Sequence, residues 1–591
     1  MVIPETRQTT VTRAQIRGLV ARITAEHIAY LVIALLAAVL RLSDLGQAPL
    51  NPTEAEQALP IWQLWQSGGA TVVPGSPAYF TLSAPLSQIL GFSDGVMRLV
   101  PALFGLALAV TPWFVRHRVG RLGALVAALL LAISPLQTLA ARTAGGQSIG
   151  LFAGMMVFIA WLRFQEDGAR AWLVALALAL ALGLTSAPLF FAVILALAVA
   201  WLAQRLVGPA LVRDQEGQRA PLIKPAGPAL RRAFTVGLIT LLLLATGLFM
   251  SLRGVGSTVD LLADWLRRFH FTSSSYVMTG PFAALLRYEV ALLLLGLPAA
   301  VWAALREKPF AVFLVYWSLG ALLLMLLQPG TMPNVLVLAL PAYLLIGHFA
   351  NHVLDQTSSS WWLAFGLATL FAGAIFYLNI VRYARLAGLQ GVPDPIYHLL
   401  IAFLALAAVL ALALLIFGWD RAATAKGLLS GLLALLLVFA WGSAWWLSRE
   451  AANDTRERWI AEGTDVDIRL IRQTVQELSW QASNSVNGVA LTSAVDSPAL
   501  RWYLRDFDNA TFAELLPSAT SSPVLITPLD YDPVVASNYI GAEYTFAHPD
   551  TVHNLGAIDA LRWWFFRQSP IPISEQRLIL WLRSDIAEGN P

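Results

Sequence analysis

The sequence contains no cysteine and little charge. Its 591 residues include three lysines (Lys224, Lys308 and Lys426), and the four charged residue types together make up 13% of the chain. Soluble globular proteins carry roughly 25% charged residues. The absence of cysteine excludes disulfides and thiolate metal sites, and the scarcity of charge argues against an ordinary soluble protein.

The chain is instead rich in long apolar runs. Hydrophobic residues make up 57% of the chain, and runs of about 20 apolar residues recur, each long enough to cross a hydrocarbon core of about 30 Å. We therefore predict a polytopic α-helical membrane protein with 13 crossings. The predicted spans are residues 27–43, 96–115, 122–140, 148–163, 171–187, 188–204, 233–252, 289–305, 309–328, 333–350, 361–381, 397–418 and 425–447.

The charges that remain are unevenly distributed. Residues 448–591 contain 11 arginines, no lysine and 19 acidic residues, a net charge of −8, whereas the rest of the chain carries +11. Because cytoplasmic loops are enriched in Lys and Arg, the basic loops place the N-terminus inside and, after 13 spans, residues 448–591 outside. These loops are residues 116–121, 163–170, 205–232, 306–308 and 420–426.

Two domains are expected from these patterns. Residues 1–447 form a transmembrane domain, and residues 448–591 form a small extracytoplasmic α/β domain. Helical periodicity over 465–483 and short β-rich runs support the second domain. The predicted strands lie within residues 488–494, 523–528, 543–547 and 577–583.

The first long outer loop, residues 44–95, contains two nearby carboxylates. Thr53-Glu54-Ala55-Glu56 fits a capping box in which Thr53 caps a helix and Glu56 reaches back to it. Glu54 then either faces solvent or points inward as a general base or cation ligand. A third acidic residue, Glu289, opens a predicted span after the second long loop, 253–288, and at that depth needs a partner. Arg98 or Arg142 could provide it.

One stretch of the membrane domain resembles a known class. "GFSDGVMRLVPALFGLALAVTPWFVRHRVGRLGALVAALLLAISPLQTLAAR" (91–142) is similar to the GT-C membrane glycosyltransferases of the protein mannosyltransferase and aminoarabinose transferase branch. "LLRYE" (285–289), "ALRWYLRDF" (499–507) and pieces of 561–586 are similar to a narrower subgroup, the flippase-activity-associated glycosyltransferase-like proteins. The resemblance implies a GT-C-like bundle with an outer domain.

The resemblance also implies a reaction. Such proteins transfer a sugar from a polyprenyl-phosphate carrier to an acceptor at the outer face of the cytoplasmic membrane. Cations must hold the departing phosphate and a carboxylate must take the acceptor proton. Glu54, Glu56 and Glu289 are then the candidate catalytic residues. The candidate substrate contacts are Arg98, Arg142, Arg287 and Tyr79.

The sequence departs from that branch at four charged positions. Thr53-Glu54-Ala55 replaces an Asp-Glu-Ala triplet, and Ser76-Pro77-Ala78 replaces a His-Pro-Pro segment. "GTMPN" (330–334) and "RTAGGQ" (142–147) lack charges that the branch carries. Glu54 could serve a modified transferase, or the chain could be a degenerate, non-catalytic relative acting as a lipid-binding or structural subunit.

Partners and cofactors follow from the same considerations. The expected partners are a polyprenyl-phosphate lipid donor, membrane lipids and, for the second alternative, a membrane protein. No nucleic-acid-binding pattern is present, and the positive charge is explained by the basic loops. No cofactor or protein metal ligand is assigned, although a divalent cation is a candidate.

Overall fold

A bundle of long helices followed by a β-sheet domain makes up the protein. The computed structural model describes residues 24–67, 73, 75–209, 223, 225–270, 275–389, 394–457, 459, 462–513, 516, 520–531, 533–534, 538–549, 556–568 and 574–587. The helices of the bundle are α1 (Ala25–Leu42), α2 (Pro52–Ser67), α3 (Pro77–Leu90), α4 (Asp94–Val110), α5 (Arg116–Val119), α6 (Arg121–Ile133), α7 (Pro135–Ala141), α8 (Gln147–Asp167), α9 (Arg170–Leu184), α10 (Pro188–Leu206), α11 (Gly227–Ala245), α12 (Gly254–Arg267), α13 (Ser275–Tyr288), α14 (Val290–Arg306), α15 (Pro309–Leu327), α16 (Asn334–Leu354), α17 (Trp361–Leu386), α18 (Ile396–Phe417) and α19 (Arg421–Ser448).

The helices coincide with the predicted apolar spans. In the described part of the chain, ten helices are long and apolar enough to cross a membrane, and two bent pairs raise the count to twelve. The one remaining predicted span, residues 171–187, corresponds to α9. Its 15 residues are about 22 Å long, which is shorter than the hydrocarbon core. The protein is therefore a multi-pass helical membrane protein, as predicted, with 10 to 12 spans by length and composition.

Small residues let the helices of the bundle approach closely. A Cβ added to Gly123 on α6 would lie 2.3 Å from the carbonyl oxygen of Gly347 on α16, and the reverse substitution meets the same distance. Close backbone contacts at small residues are a common way to pack helices in membranes, where apolar burial gives little driving force. The α6–α16 contact therefore depends on the two glycines.

Two spans are broken where they approach each other. Helices α6 and α7 are bent by 59° at Ser134, and the second half of α13 is bent by 91° relative to α14 at Glu289. Ser134 caps α7 by accepting a hydrogen bond from the Gln137 N–H (3.2 Å), and Pro135 occupies the first helical position, where its missing N–H costs nothing. Both breaks leave backbone groups for side chains to satisfy.

The basic turns gather at one end of the bundle. Glu26 at the start of α1 lies 3.6 Å from the guanidinium of Arg116, and Glu166 at the end of α8 pairs with His117 and Arg118. The opposite end carries the C-terminus of α1 and that of α19. The predicted basic loops 116–121 and 163–170 therefore share one face, and the C-terminal domain lies at the other.

The C-terminal domain is built on a six-stranded mixed sheet. Its strand order is β1-β5-β6-β4-β2-β3, with β2 parallel to both β3 and β4 and the other pairs antiparallel. The strands are β1 (Glu462–Thr464), β2 (Leu491–Ser493), β3 (Ala510–Phe512), β4 (Val524–Pro528), β5 (Tyr539–Pro549) and β6 (Gln576–Arg583), and the helices are α20 (Asp467–Ser483), α21 (Pro498–Tyr503), α22 (Ala557–Phe566) and α23 (Ser584–Ala587). The predicted helix and four predicted strands are present. The three-residue strands β1 and β3 were not predicted.

Hydrogen bonds connect the C-terminal domain to the first long loop. Asp94 at the start of α4 accepts hydrogen bonds from Arg469 (2.7 Å), the Tyr503 hydroxyl (2.7 Å) and the Trp502 indole (3.0 Å). Burial and the neighbouring Asp94 carboxylate raise the pKa of Tyr503, so its hydroxyl remains a donor. The C-terminal domain therefore lies on the same face as the described residues of the first long loop, independently of the exact number of spans.

Candidate functional site

Helix α2 begins with a capping box two positions earlier than the sequence predicted. The Asn51 side chain accepts from the Glu54 N–H (2.9 Å), and the Glu54 carboxylate accepts from the Asn51 N–H (3.2 Å). Pro52 then occupies the first helical position. The Thr53–Glu56 capping box is therefore wrong, and Glu56 is exposed while Glu54 performs the reciprocal capping.

Glu54 is buried and fully hydrogen-bonded. Its side chain is 2% exposed, and its two oxygens accept from Nε (2.7 Å) and Nη2 (2.6 Å) of Arg98. The Ala144 N–H donates at 2.8 Å, and the Asn51 N–H completes the set. A carboxylate offers about four acceptor positions, so this arrangement leaves none open. Glu54 as a general base stays a prediction, and the geometry favours a positioning role.

Arg98 donates all of its five N–H groups to protein acceptors. Two go to the Glu54 carboxylate, and three go to backbone carbonyls of the turn that follows α1. These carbonyls belong to Leu45 (2.9 Å), Ala48 (2.7 Å) and Pro49 (3.0 Å). An arginine has five donors in a fixed fork, so Arg98 shapes the loop and has no donor left for a substrate phosphate in this conformation.

Arg142 was predicted as a second phosphate ligand. In the structure it donates hydrogen bonds to backbone carbonyls at the C-terminal ends of two helices. It donates to the Ser448 carbonyl at the end of α19 (3.1 Å) and to carbonyls after α1, among them Ser43 (2.6 Å) and Asp44 (3.0 Å). C-terminal carbonyls lack helical partners and attract cations. Burial, with the positive charges of Arg449 and Arg98, lowers the pKa of Arg142 to about 10, so it stays charged at neutral pH.

A third arginine at this place, Arg449, was not predicted from the sequence. Its side chain is 4% exposed, lies 3.6 Å over the Trp445 ring and donates through Nη2 to Ser43 Oγ and to the Val39 carbonyl (3.3 Å). Its Nε and Nη1 are buried without a hydrogen-bond partner among the described residues. We call Arg98, Arg142 and Arg449 the arginine cluster. The signal for Arg449 was its position directly after the last apolar run.

Asp44 is the carboxylate beside the arginine cluster that remains open. One of its oxygens lies 3.6 Å from Arg449 Nε, and its side chain is 65% exposed. The described part of the chain gives this carboxylate no hydrogen bond. Asp44 also has a backbone φ of +52°, a left-handed conformation that aspartate tolerates better than most residues. Its carboxylate is therefore accessible from outside the arginine cluster.

A small cavity lies within the arginine cluster. About 20 Å³ is enclosed between the turn after α1, the start of α2, Arg142 and the end of α19. A water molecule needs about 10–15 Å³, so the cavity has room for one. Its lining includes the three arginines and one carboxylate, Glu54, a net charge of +2. This net positive charge favours an anionic group over a cation at the cavity.

Glu289 lies apart from the arginines, contrary to the suggested pairing with Arg98 or Arg142. It is 1% exposed and accepts from Ser134 Oγ (2.5 Å), the Leu136 N–H (3.3 Å) and the Tyr343 hydroxyl. No cation pairs with it in the described part of the chain. The Glu289 carboxylate therefore links the two helix breaks. Ser134 and Leu136 lie at the break between α6 and α7, and Glu289 lies at the break between α13 and α14.

The remaining predicted residues have other neighbours. Arg287 is 8% exposed, and its guanidinium lies 5.8 Å from the Trp564 ring of the C-terminal domain, outside the arginine cluster. Tyr79 is fully buried and donates its hydroxyl to the Met97 carbonyl (2.8 Å). Both therefore lie in packed regions. Whether either contacts a substrate stays a prediction.

A protein-held metal centre is not evident in the part of the chain that the structure describes. There, no three side chains of His, Asp or Glu come together in a way that could hold an ion. His398 instead hydrogen-bonds to Asn379 on the neighbouring helix (2.9 Å), and His270 is exposed. The candidate divalent cation thus has no site assigned among these residues.

Comparison with known proteins gives the fold a wider context. Residues 74–213, about a quarter of the chain, match the family model described as dolichyl-phosphate-mannose-protein mannosyltransferase. No curated protein matches the chain. The matched range includes α3 to α10 and, with them, Arg98 and Ala144, which both donate hydrogen bonds to Glu54.

Two crystal structures of ArnT from Cupriavidus metallidurans resemble most of the chain. ArnT bound to undecaprenyl phosphate aligns at 14% identity over 95% of this chain and 99% of ArnT, with a TM-score of 0.58. Apo ArnT aligns at 15% identity over 86% and 94%, with a TM-score of 0.54. At such identity the likeness concerns the fold. The chain has the fold of the GT-C membrane glycosyltransferases, as the resemblance implied.

Proposed function

We propose that this protein transfers a sugar from a polyprenyl-phosphate carrier to an acceptor at the outer face of the cytoplasmic membrane. The observation that carries the proposal is Arg449, which keeps three unused N–H groups within a buried, net positive cavity of a GT-C fold. Arginine binds phosphate strongly because its donors form a planar fork. The crystal structure of ArnT with undecaprenyl phosphate supports a lipid phosphate as the anion.

Each step of the transfer has a group to support it. The acceptor oxygen forms a bond to the anomeric carbon, and the bond from that carbon to the phosphate oxygen breaks. The phosphate keeps the electron pair, and Arg449 with Arg142 stabilises the added negative charge. Asp44 takes the proton of the acceptor hydroxyl. Glu54 holds Arg98 and, through it, the turn that carries Asp44.

The proposed orientation is supported by the distribution of basic residues. The basic turns at residues 116–121 and 163–170 lie at the end of the bundle opposite the C-terminal domain, and cytoplasmic loops are enriched in such residues. We therefore place the N-terminus in the cytoplasm and the arginine cluster at the outer face. The cluster then lies near the outer membrane surface, between the bilayer that would hold a lipid donor and the water that would hold an acceptor.

A second candidate function is favoured by the saturated Glu54. If the reaction requires that carboxylate as a base, its four donors would prevent turnover, and the protein would bind the lipid phosphate without cleaving the donor. The protein would then act as a lipid-binding subunit of a membrane complex. The two candidates share the arginine cluster and differ in turnover alone.

Donor turnover in lipid nanodiscs tests the proposal. Purified protein would receive polyprenyl-phosphate mannose, glucose and aminoarabinose in turn, and release of polyprenyl phosphate would be followed with and without Mg²⁺. We expect release that falls at least tenfold in Arg449→Gln, because one charged phosphate contact contributes about 1.5–3 kcal/mol. Arg501→Gln is the matched control, since Arg501 is an exposed outer arginine paired with Asp496. Binding of polyprenyl phosphate without release would support the second candidate, and neither binding nor release would contradict both.

A further inference from the structure

A larger cleft lies beside the arginine cluster, where the C-terminal domain meets the membrane domain. It has a volume of about 350 Å³ and is lined by the turn 47–49, the segment 449–456, the residues 464–466 around the end of β1, and His548 on β5. We call it the seam cleft. Gln47, Ala48, Arg449 and Ala452 line both the seam cleft and the cavity in the arginine cluster. A molecule in the cleft would therefore lie next to a phosphate held by Arg449.

The two neighbouring sites carry opposite charge. The lining of the seam cleft contains two arginines and three carboxylates, a net charge of −1, against +2 for the cavity in the arginine cluster. Arg456 already forms an ion pair with Asp454, with Nη2 2.6 Å from the carboxylate. A second phosphate or another polyanion is therefore disfavoured in the cleft. A neutral ligand rich in hydroxyl groups fits the charge.

Several side chains of the cleft carry polar atoms that the protein does not use. The Thr455 and Thr464 hydroxyls and Asn453 Oδ1 are buried and have no hydrogen-bond partner among the described residues. Asn453 is held in place through its other end, since Nδ2 donates to the carbonyls of Pro49 (2.9 Å) and Thr464 (3.0 Å). Buried polar groups without partners are costly in a folded protein. Small side-chain rotations toward the cleft would give them a ligand or water.

An Asp–His pair completes the lining. His548 Nε2 lies 2.8 Å from Asp465 Oδ2, and His548 Nδ1 has no partner in the described part of the chain. When Nε2 carries the proton and donates it to Asp465, Nδ1 is an acceptor for a hydroxyl group. The carboxylates of Glu450 and Asp465 are further acceptors, and the threonine hydroxyls are donors as well. This mixture of donors and acceptors suits a carbohydrate.

We propose that the seam cleft binds a neutral carbohydrate, the acceptor of the reaction, through Thr455, Thr464, Asn453 and the Asp465–His548 pair. Its volume lies at the lower end of the range of about 300–1,000 Å³ for small-molecule sites, which suits one or two sugar rings. The assignment as acceptor rests on the proposed function. Sugar binding itself does not, and it can be measured without a donor.

Saturation-transfer NMR on the full chain in nanodiscs tests the binding. The probes are the methyl β-glycosides of glucose, galactose, mannose, N-acetylglucosamine and glucuronic acid, with empty nanodiscs subtracted. We expect saturable binding of at least one neutral glycoside and weaker binding of the glucuronide. Thr464→Val should weaken binding about five- to tenfold, the loss of one hydrogen bond. The melting temperature of Thr464→Val should not fall, because the Thr464 hydroxyl has no hydrogen-bond partner to lose among the described residues.

Matched variants separate binding from folding. Thr455→Val and His548→Phe should weaken binding as well, whereas His117→Phe removes a similar histidine–carboxylate pair (2.7 Å from Glu166) at the opposite end of the bundle and should leave it unchanged. Absence of saturable binding for all five glycosides would overturn the proposal, and so would equal affinity in wild type and all three cleft variants. Sugar binding without donor turnover would support the seam cleft and contradict the transferase. Donor turnover without sugar binding would do the reverse.

Discussion

Glu54 and Glu289 are two buried acidic residues of the membrane domain with different partners. Their exposures are alike, 2% and 1%. Glu54 accepts hydrogen bonds from Nε and Nη2 of Arg98 and from two backbone N–H groups, whereas Glu289 accepts from two hydroxyls and one N–H. Burial alone therefore does not identify a catalytic acid. The partners show that each of these carboxylates has a structural use.

The two carboxylates also hold opposite ends of one segment. Glu289 binds Ser134 and the Leu136 N–H at the start of α7, and Glu54 binds the Ala144 N–H just beyond its end. Arg142 lies between these anchor points. We infer that the pair keeps Arg142 at the ends of α1 and α19, where the arginine cluster forms. Asp44 differs from both, because its carboxylate accepts no hydrogen bond in the described part of the chain.

The largest effect is expected from removing the open carboxylate. Asp44→Asn should reduce donor turnover about 10²–10⁴-fold, the usual contribution of a general base, while thermal unfolding stays unchanged because Asp44 is exposed. Release of polyprenyl phosphate in nanodiscs is the measurement. Asp260→Asn, an exposed aspartate of α12, is the control. Full activity in Asp44→Asn would return Glu54 to consideration as the base.

The next largest effect concerns the buried ion pair. Arg98→Met leaves Glu54 buried without its cation and should destabilise the protein by about 3–5 kcal/mol, as for other broken buried pairs. The measurement is unfolding followed by tryptophan fluorescence in one fixed detergent. The double variant Arg98→Met, Glu54→Met should recover part of the loss, since apolar replacements of buried pairs are often tolerated. Wild-type stability in the single variant would show that the pair is not structurally important.

Glu289→Gln should lower the stability less than Arg98→Met does, because this substitution leaves no buried cation unpaired. The amide oxygen can still accept from Ser134 and the Leu136 N–H, and the loss is about one hydrogen bond, roughly 1 kcal/mol. The same unfolding measurement compares it with Glu54→Gln, which should lose more because Arg98 then faces a neutral amide. A larger loss for Glu289→Gln than for Glu54→Gln would reverse the comparison between the two carboxylates.

The sequence was sufficient for the membrane domain as a whole. Span length and apolar composition are local properties, so the apolar segments, including the unusually short α9, were found where the helices are. The basic turns likewise identified one face. The bends at Ser134 and Glu289 were missed, because a break within an apolar run depends on the side chains that satisfy it.

The site was harder to predict because it joins distant parts of the chain. Glu54 and Arg98 were both singled out, yet their bidentate pairing depends on how α2 packs against α4. Arg449 and Asp44 are more than 400 residues apart, and no sequence pattern places them 3.6 Å from each other. The seam cleft requires a domain interface, which a single sequence does not reveal.

The smallest effect is expected from a partly exposed carboxylate, Asp420, in the turn between α18 and α19. Hydrogen bonds from the Ala423 and Ser359 N–H groups (2.9 Å each) lower the pKa of Asp420 to about 2. The folded state therefore favours the charged form. This contribution is complete above the ordinary aspartate pKa near 4 and is lost as pH falls toward 2. The difference in melting temperature between wild type and Asp420→Ala should accordingly be small at neutral pH and shrink between pH 4 and pH 2. Asp260→Ala, for which the described residues show no hydrogen bond, should give no such pH dependence, and a constant difference in both variants would contradict the capping role of Asp420.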